Sequence, residues 1–214
     1  MLKLRQRQTK VRASLNVVDS ARPYQSAVDR LRQLQDVTGP FFHENTARLL
    51  FHCSVAMLEQ YIARWQKSGL IKRLGPRAGI FFNTLAPHWE HSVERAILTL
   101  YPGAVLTGVA ALNAAGLTSQ MPWRKSVIVP SRGPRVDEDY GYDVRPLPLQ
   151  QYLHFTAGAQ MSANGLPVAE IRRAIDYAFK VEGVVDETDL DEDMLAELGL
   201  AQDDIHPIVD TPRA

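Results

Sequence analysis

Cysteine is nearly absent from this chain. Cys53 is the only one in 214 residues, so no intramolecular disulfide framework holds the fold, and a reducing cytoplasm suits it. Long apolar runs are missing too. The least polar stretch, Gly103 to Leu117, is too short and too rich in Gly, Ala, Thr and Asn to cross a membrane. The basic start, Met1-Leu2-Lys3-Leu4-Arg5-Gln6-Arg7, is not followed by the apolar segment of a secretory signal. No Gly-rich phosphate loop, nucleophile elbow or paired-carboxylate signature of nucleotidyl transfer is present, so no catalytic residue is assigned. Net charge is missing as well, with 24 Lys and Arg against 24 Asp and Glu.

The zero conceals a division. Residues 1–86 carry 14 Lys and Arg against 5 Asp and Glu, a net of +9, and residues 87–214 carry 10 against 19, a net of −9. A basic half beside an acidic half implies two tasks, with the basic half facing a polyanion. A milder alternative is that the halves attract each other. The hydrophobic content of 45% and charged content of 22% are those of an ordinary globular protein. The length suits two domains.

The organising stretch runs from Phe42 to Thr84. Glu44 to Leu50 reads as a short helix, followed by a turn at Phe51-His52-Cys53. Ser54 is a good N-cap for a second helix, in which Val55, Leu58, Tyr61, Ile62 and Trp65 recur as one apolar stripe. Gly69 stands where a left-handed C-cap is expected. Leu70 to Leu74 and Ile80 to Thr84, around Gly75-Pro76-Arg77-Ala78-Gly79, read as a β-hairpin. Upstream, Val28, Leu31, Leu34 and Val37 mark a helix beginning near Tyr24 and ended by Gly39-Pro40. Phe41-Phe42 then supplies a short strand to pair with the hairpin. Helix, strand, helix, turn, helix and basic hairpin are the order of a winged helix-turn-helix. The residues Ala47-Arg48-Leu49-Leu50, Ser54-x-x-x-Leu58-x-x-Tyr61-Ile62-x-x-Trp65 and Gly69-Leu70-Ile71 resemble the winged-helix pattern of many bacterial regulators. The turn departs from it: Phe51 and His52 stand where a small residue, often Gly, is usual, and the turn is one residue longer.

The expected partner of such a unit is double-stranded DNA. On the second helix, Gln60 can pair bidentately with adenine and Met57 can meet a thymine methyl, with Ser54 at its start and Arg64 and Lys67 further along. Lys72, Arg73 and Arg77 of the hairpin, with Arg48 of the preceding helix, suit phosphates. Glu59 opposes phosphate approach. The alternative is that the fold mediates protein contacts and these charges form a solvated face.

After Ala86-Pro87 the pattern changes, placing a boundary there: a basic arm over 1–22, the winged unit over 23–86 and a second domain over 87–214. The arm is either a solvated tail or a further phosphate contact. A helix is expected over His88–Leu100, another capped by Thr107 and closed by Gly116, and a strand at Ser126–Val129. A polar loop, Ser131–Gly141, then leads to a strand at Tyr142–Leu147, the two strands reading as a hairpin. Leu149–Met161 is ambiguous, Val168–Val181 is a helix, and Asp191–Leu198 is a short acidic helix. The fold class expected is α+β: a winged helix-turn-helix followed by a mixed α+β domain with a small sheet.

Three weaker motifs are set aside. His88 and His91 sit three apart without a third ligand, so no metal is expected. Asp186 to Asp193 mimics a calcium loop but lacks its glycine and final glutamate. Cys53 fits burial better than nucleophilic work.

The segment Pro102 to Leu117, with Ala111-Leu112-x-x-x-Gly116-Leu117, Pro122 and the strand at 126–129 after it, is similar to the second domain of AbiEi-type antitoxins of bacterial type IV toxin–antitoxin systems. Val168-Ala169-Glu170-Ile171-Arg172-Arg173-Ala174-Ile175-Asp176 resembles a later helix of that family, with Ile175 where Leu is usual. The two matches span about residues 40–180 in the family's order. The resemblance implies a cytoplasmic DNA-binding repressor of its own operon that neutralises a nucleotidyltransferase-like toxin, without direct binding being required. It implies no cofactor, and it leaves open a homodimer on DNA. A protein–protein adaptor with a degenerate winged helix is the second reading, and an enzyme acting through the His88/His91 region is a third.

Overall fold

The computed structural model describes residues 26–162 and 165–183, with residues 193, 196 and 199. The basic arm lies outside these. So does the acidic helix expected at Asp191–Leu198, apart from Asp193 and Ala196, which are helical and exposed. The described chain is a mixed α+β fold with two sheets.

Helix α1 (Ala27–Thr38) opens with a reciprocal cap: the Ser26 hydroxyl accepts the Asp29 N–H, and the Asp29 carboxylate accepts the Ser26 N–H. The Ser26 hydroxyl, which donates to the Asp29 carboxylate at 2.6 Å, and then the Ser26 N–H hold the Asp29 carboxyl below its usual pKa. Leu31 and Leu34 are fully buried, whereas Val37 is 62% exposed. Steps of three residues drift by about 60° each at 3.6 residues per turn, which carries Val37 off the buried face. Gly39, at φ 79°, ends the helix.

Strand β1 (Phe41–His43), α2 (Glu44–Phe51), α3 (Val55–Lys67), β2 (Ile71–Arg73) and β3 (Ile80–Asn83) follow. Phe51 is helical, so the α2–α3 turn is His52-Cys53-Ser54. His52 adopts the left-handed conformation (φ 48°, ψ 41°) in which glycine is usual. The Ser54 hydroxyl accepts the Met57 N–H at 3.3 Å, the expected cap. Leu58, Ile62 and Trp65 are buried, but Val55, placed on their stripe by periodicity, is 55% exposed in the first turn. The three strands form an antiparallel sheet in the order β1-β3-β2, as the pairing of Phe41-Phe42 with the hairpin requires.

The chain continues through a 3-10 turn (Trp89–Ser92) into α4 (Val93–Leu100), together the helix expected from His88. Strand β4 (Val105–Leu106), α5 (Gly108–Ala114), β5 (Lys125–Val129), β6 (Tyr142–Pro146), α6 (Leu149–Thr156), β7 (Gln160–Met161), β8 (Pro167–Val168) and α7 (Ile171–Tyr177) complete it. A π turn, Ala178–Glu182, extends α7. Val168 is thus in a strand rather than a helix: the Glu170 carboxylate caps the Arg172 and Arg173 N–H groups and starts α7 later than periodicity alone places it. The second sheet has the order β6-β5-β4-β8-β7.

Two expectations change here. Strands β5 and β6 run parallel rather than as a hairpin. The connection over residues 130–141 is long enough to cross over, and its far side finds support on the β2–β3 hairpin. Thr107 occupies the N-cap position of α5, but its hydroxyl makes no capping bond. The Glu182 carboxylate does that work, accepting the Val109 N–H at 2.9 Å and bonding the Ser126 hydroxyl.

Each sheet is covered on both faces. Phe81 joins a core with Leu31, Leu34, Phe42, Leu58, Ile62 and Trp65, while Ile80 and Phe82 point the other way. They meet Trp89, Val93, Ile97, Leu106, Val127 and Val129 in a core that is continuous across Pro87. Ile128, on the opposite face of β5, packs with Val109, Leu112, Phe155, Ile175 and Tyr177. Double coverage is why Ile80-Phe81-Phe82 and Val127-Ile128-Val129 are apolar at every position rather than alternating. Among the described residues no helix is long and apolar enough to cross a membrane.

Candidate nucleic-acid interface

Met57, Gln60, Arg64 and Lys67 stand at offsets 0, 3, 7 and 10 along α3, which at about 100° per residue gathers them within an arc of roughly 80°. That arc faces away from Leu58, Ile62 and Trp65. Ala56 and Ala63 flank it on one side, and all six are exposed. Their small side chains keep that flank low enough for close approach. Ser54 is exposed at the start of the helix, and Arg48 is exposed on α2. Trp65 stacks on Tyr61 at 5.8 Å and meets Phe51 edge-on at 6.3 Å, which sets α3 rigidly against α2. The Arg30 guanidinium lies 4.2 Å from the Tyr61 ring centroid and 5.6 Å from that of Phe51.

The basic residues of the hairpin divide between faces. Lys72 pairs with Phe82 in register and holds its ammonium 5.1 Å from the Trp89 ring centroid. Its cleft is also lined by Asp137, Asp139 and Tyr140. Arg73 turns the other way, with its guanidinium 5.0 Å from the Phe81 centroid. Arg77 is exposed in the turn at φ 60°. The nine predicted residues are therefore all exposed, but they are not one patch. The α3 face, Arg48 and Arg77 are open, whereas Lys72 sits in a partly acidic cleft beside the second sheet's crossover loop, a cleft that Arg73 also lines although its guanidinium lies over Phe81. Among the described residues Arg48, Arg64, Lys67, Lys72, Arg73 and Arg77 form no ion pair, though Lys72 has Asp137 and Asp139 in its cleft.

The crossover loop itself was not foreseen as part of this surface. The Asp137 N–H donates to the Leu74 carbonyl at 2.8 Å, and the Tyr140 hydroxyl donates to the Arg73 carbonyl at 2.7 Å. Burial and the nearby Asp137 and Asp139 push the Tyr140 hydroxyl pKa up to about 12, so it remains a donor throughout the physiological range. A Cβ on Gly75 would lie 1.9 Å from the Arg135 carbonyl oxygen. The signal in the sequence was a repeated tripeptide: Gly75-Pro76-Arg77 in the hairpin and Gly133-Pro134-Arg135 in the loop.

The His88 and His91 rings stack at 5.4 Å. Among the described residues no group of three or more His, Cys, Asp or Glu is placed to hold a metal. Cys53 is half-buried in the α2–α3 turn. No family model matches this chain, and no curated protein matches it.

Proposed function

We propose that the chain is a cytoplasmic duplex-DNA-binding repressor and the antitoxin of a bacterial type IV toxin–antitoxin system. Residues 23–86 act as a winged helix-turn-helix and residues 87–214 as an AbiEi-like antitoxin domain. The observation that carries the DNA reading is the open α3 face bearing Met57, Gln60, Arg64 and Lys67, whose two cations form no ion pair among the described residues. The order α1-β1-α2-α3-β2-β3 supports it, since a winged helix lays its third helix in the major groove and its hairpin along the backbone. In that pose Gln60 and Met57 meet base edges, while Arg48, Arg64, Lys67, Arg73 and Arg77 meet phosphates. The antitoxin half rests on the resemblance of residues 102–117 and 168–176, with a nucleotidyltransferase-like toxin as the functional partner.

One observation favours the adaptor alternative. Leu49, Val55 and Met57 are 68%, 55% and 47% exposed around the α2–α3 turn, an apolar share that suits a protein partner as well as thymine methyls. Growth separates the tasks. In cells making the toxin of the same operon, the full chain carrying Arg64→Ala and Lys67→Ala is expected to protect while no longer repressing a reporter driven by its own promoter. Loss of protection by a variant that still folds would tie the two activities together and remove the separate antitoxin role.

A further inference from the structure

The loop between β5 and β6 presents two arginines beside the hairpin turn. Arg132 and Arg135 are exposed, and among the described residues neither has an ion-pair partner. Of the acidic side chains around the loop, Glu138 and Asp143 line the same hollow as Arg132 and Arg135 but are engaged by Arg124 and Arg145, and Asp137 and Asp139 belong to another cleft. Glu138 pairs with Arg124 at 2.5 Å, the Asp137 carboxylate accepts the Asp139 N–H at 3.3 Å, and Asp137 and Asp139 line the cleft of Lys72.

The loop is held, not loose. The Asp137 N–H extends the edge of β2 through Leu74, which also covers a strand edge that would otherwise be open. Val136 is buried in the same core as Leu74 and Ala78. The Tyr101 hydroxyl donates to the Pro134 carbonyl, and its ring leaves no room for a side chain at Gly133, where a Cβ would lie 2.8 Å from it. Gly75 admits the Arg135 carbonyl to the base of the hairpin turn, two residues from Arg77. Two Gly-Pro-Arg segments from opposite sides of Pro87 are thereby pinned side by side.

We infer that this loop is a second basic finger: Arg132 and Arg135 contact backbone phosphates of the same duplex that α3 and Arg77 engage, so the acidic half of the chain is part of the DNA-binding surface. The inference rests on the DNA reading proposed above. A phosphate contact needs charge placed on a rigid support rather than base complementarity, and unpaired arginines on a pinned loop continuous with the hairpin meet that need. The contribution is independent of DNA sequence.

The test uses the full chain and a mixed-sequence duplex, with binding measured at several salt concentrations. Arg132→Ala and Arg135→Ala are each expected to weaken binding about eightfold at 0.1 M salt, and the double variant to make the log–log salt slope shallower by about two. Arg172→Ala, an exposed arginine on α7, is expected to change neither. Arg135→Glu is expected to weaken binding further than Arg135→Ala. Unaltered melting temperatures exclude a folding effect. A double variant with wild-type affinity and slope, while Arg77→Ala weakens binding, overturns the second finger and leaves the DNA reading standing. Failure of the wild-type chain to bind any duplex removes the DNA reading itself, and the finger with it.

Discussion

Phe82→Ala is expected to destabilise the whole described fold by about 3–5 kcal/mol, the range for emptying a buried aromatic site. Phe82 is fully buried, with ring centroids 5.2 Å from Trp89, 5.3 Å from Tyr140 and 6.3 Å from Phe41. Its neighbours come from both sides of Pro87, so the residues before and after that point share one core. Urea denaturation followed by far-UV circular dichroism and by tryptophan fluorescence should therefore give one coincident transition that moves as a unit in the variant. Two separate transitions, of which only one shifts, would show that the residues on either side of Pro87 fold independently. The same core makes a chain cut after residue 86 a poor reagent, because Leu74, Ile80 and Phe82 would lose their cover.

Raising salt from about 50 to 200 mM is expected to weaken binding of the full chain to duplex DNA several hundredfold. With about five phosphates neutralised, log K falls against log salt with a slope of roughly −4 to −5. The count comes from the open cations: Arg48, Arg64 and Lys67 on the helices, and Arg73 and Arg77 on the hairpin. Lys72, beside Trp89 and sharing its cleft with Asp137 and Asp139, is left out of that count. Contacts from Arg132 and Arg135 would steepen the slope towards −6. A slope near zero with measurable affinity would mean that apolar contact rather than charge holds the partner, as in the adaptor alternative.

What could be read from the residues alone was local. Gly39, Ser54 and the spacing of Leu58, Ile62 and Trp65 place the end of α1 and the whole of α3, because capping and 3.6-residue periodicity are short-range effects, while the Ser26 cap starts α1 three residues after the Tyr24 expected. The three-stranded sheet follows from two apolar runs about a Gly-Pro turn and Phe41-Phe42 before them. What escaped was set at long range. The Glu182 carboxylate that caps α5 stands 73 residues from Val109. The parallel pairing of β5 with β6 depends on where a twelve-residue connection finds support, and hairpin and crossover both fit its length. Ile80-Phe81-Phe82 read only as half of a hairpin, and its burial on both faces, with the second cover coming from beyond Pro87, is a consequence of packing. Among the candidate site residues, the α3 set is legible as a face, whereas the cleft around Lys72 and the loop at Arg132 and Arg135 are consequences of packing.

The central claim is that α3 reads bases while the hairpin turn only positions the backbone, and competition binding tests it most directly. Full-chain wild type, Gln60→Ala and Arg77→Ala are compared on DNA from the chain's own promoter and on random duplex, at two salt concentrations. Gln60 is exposed on the open face of α3, so its truncation disturbs no core. Gln60→Ala is expected to cost about 1–3 kcal/mol on the promoter duplex and little on random DNA. Arg77→Ala is expected to weaken both duplexes about equally and to make the salt slope shallower by roughly one. Equal weakening of both duplexes by Gln60→Ala, or no change on either, would contradict base reading by this helix.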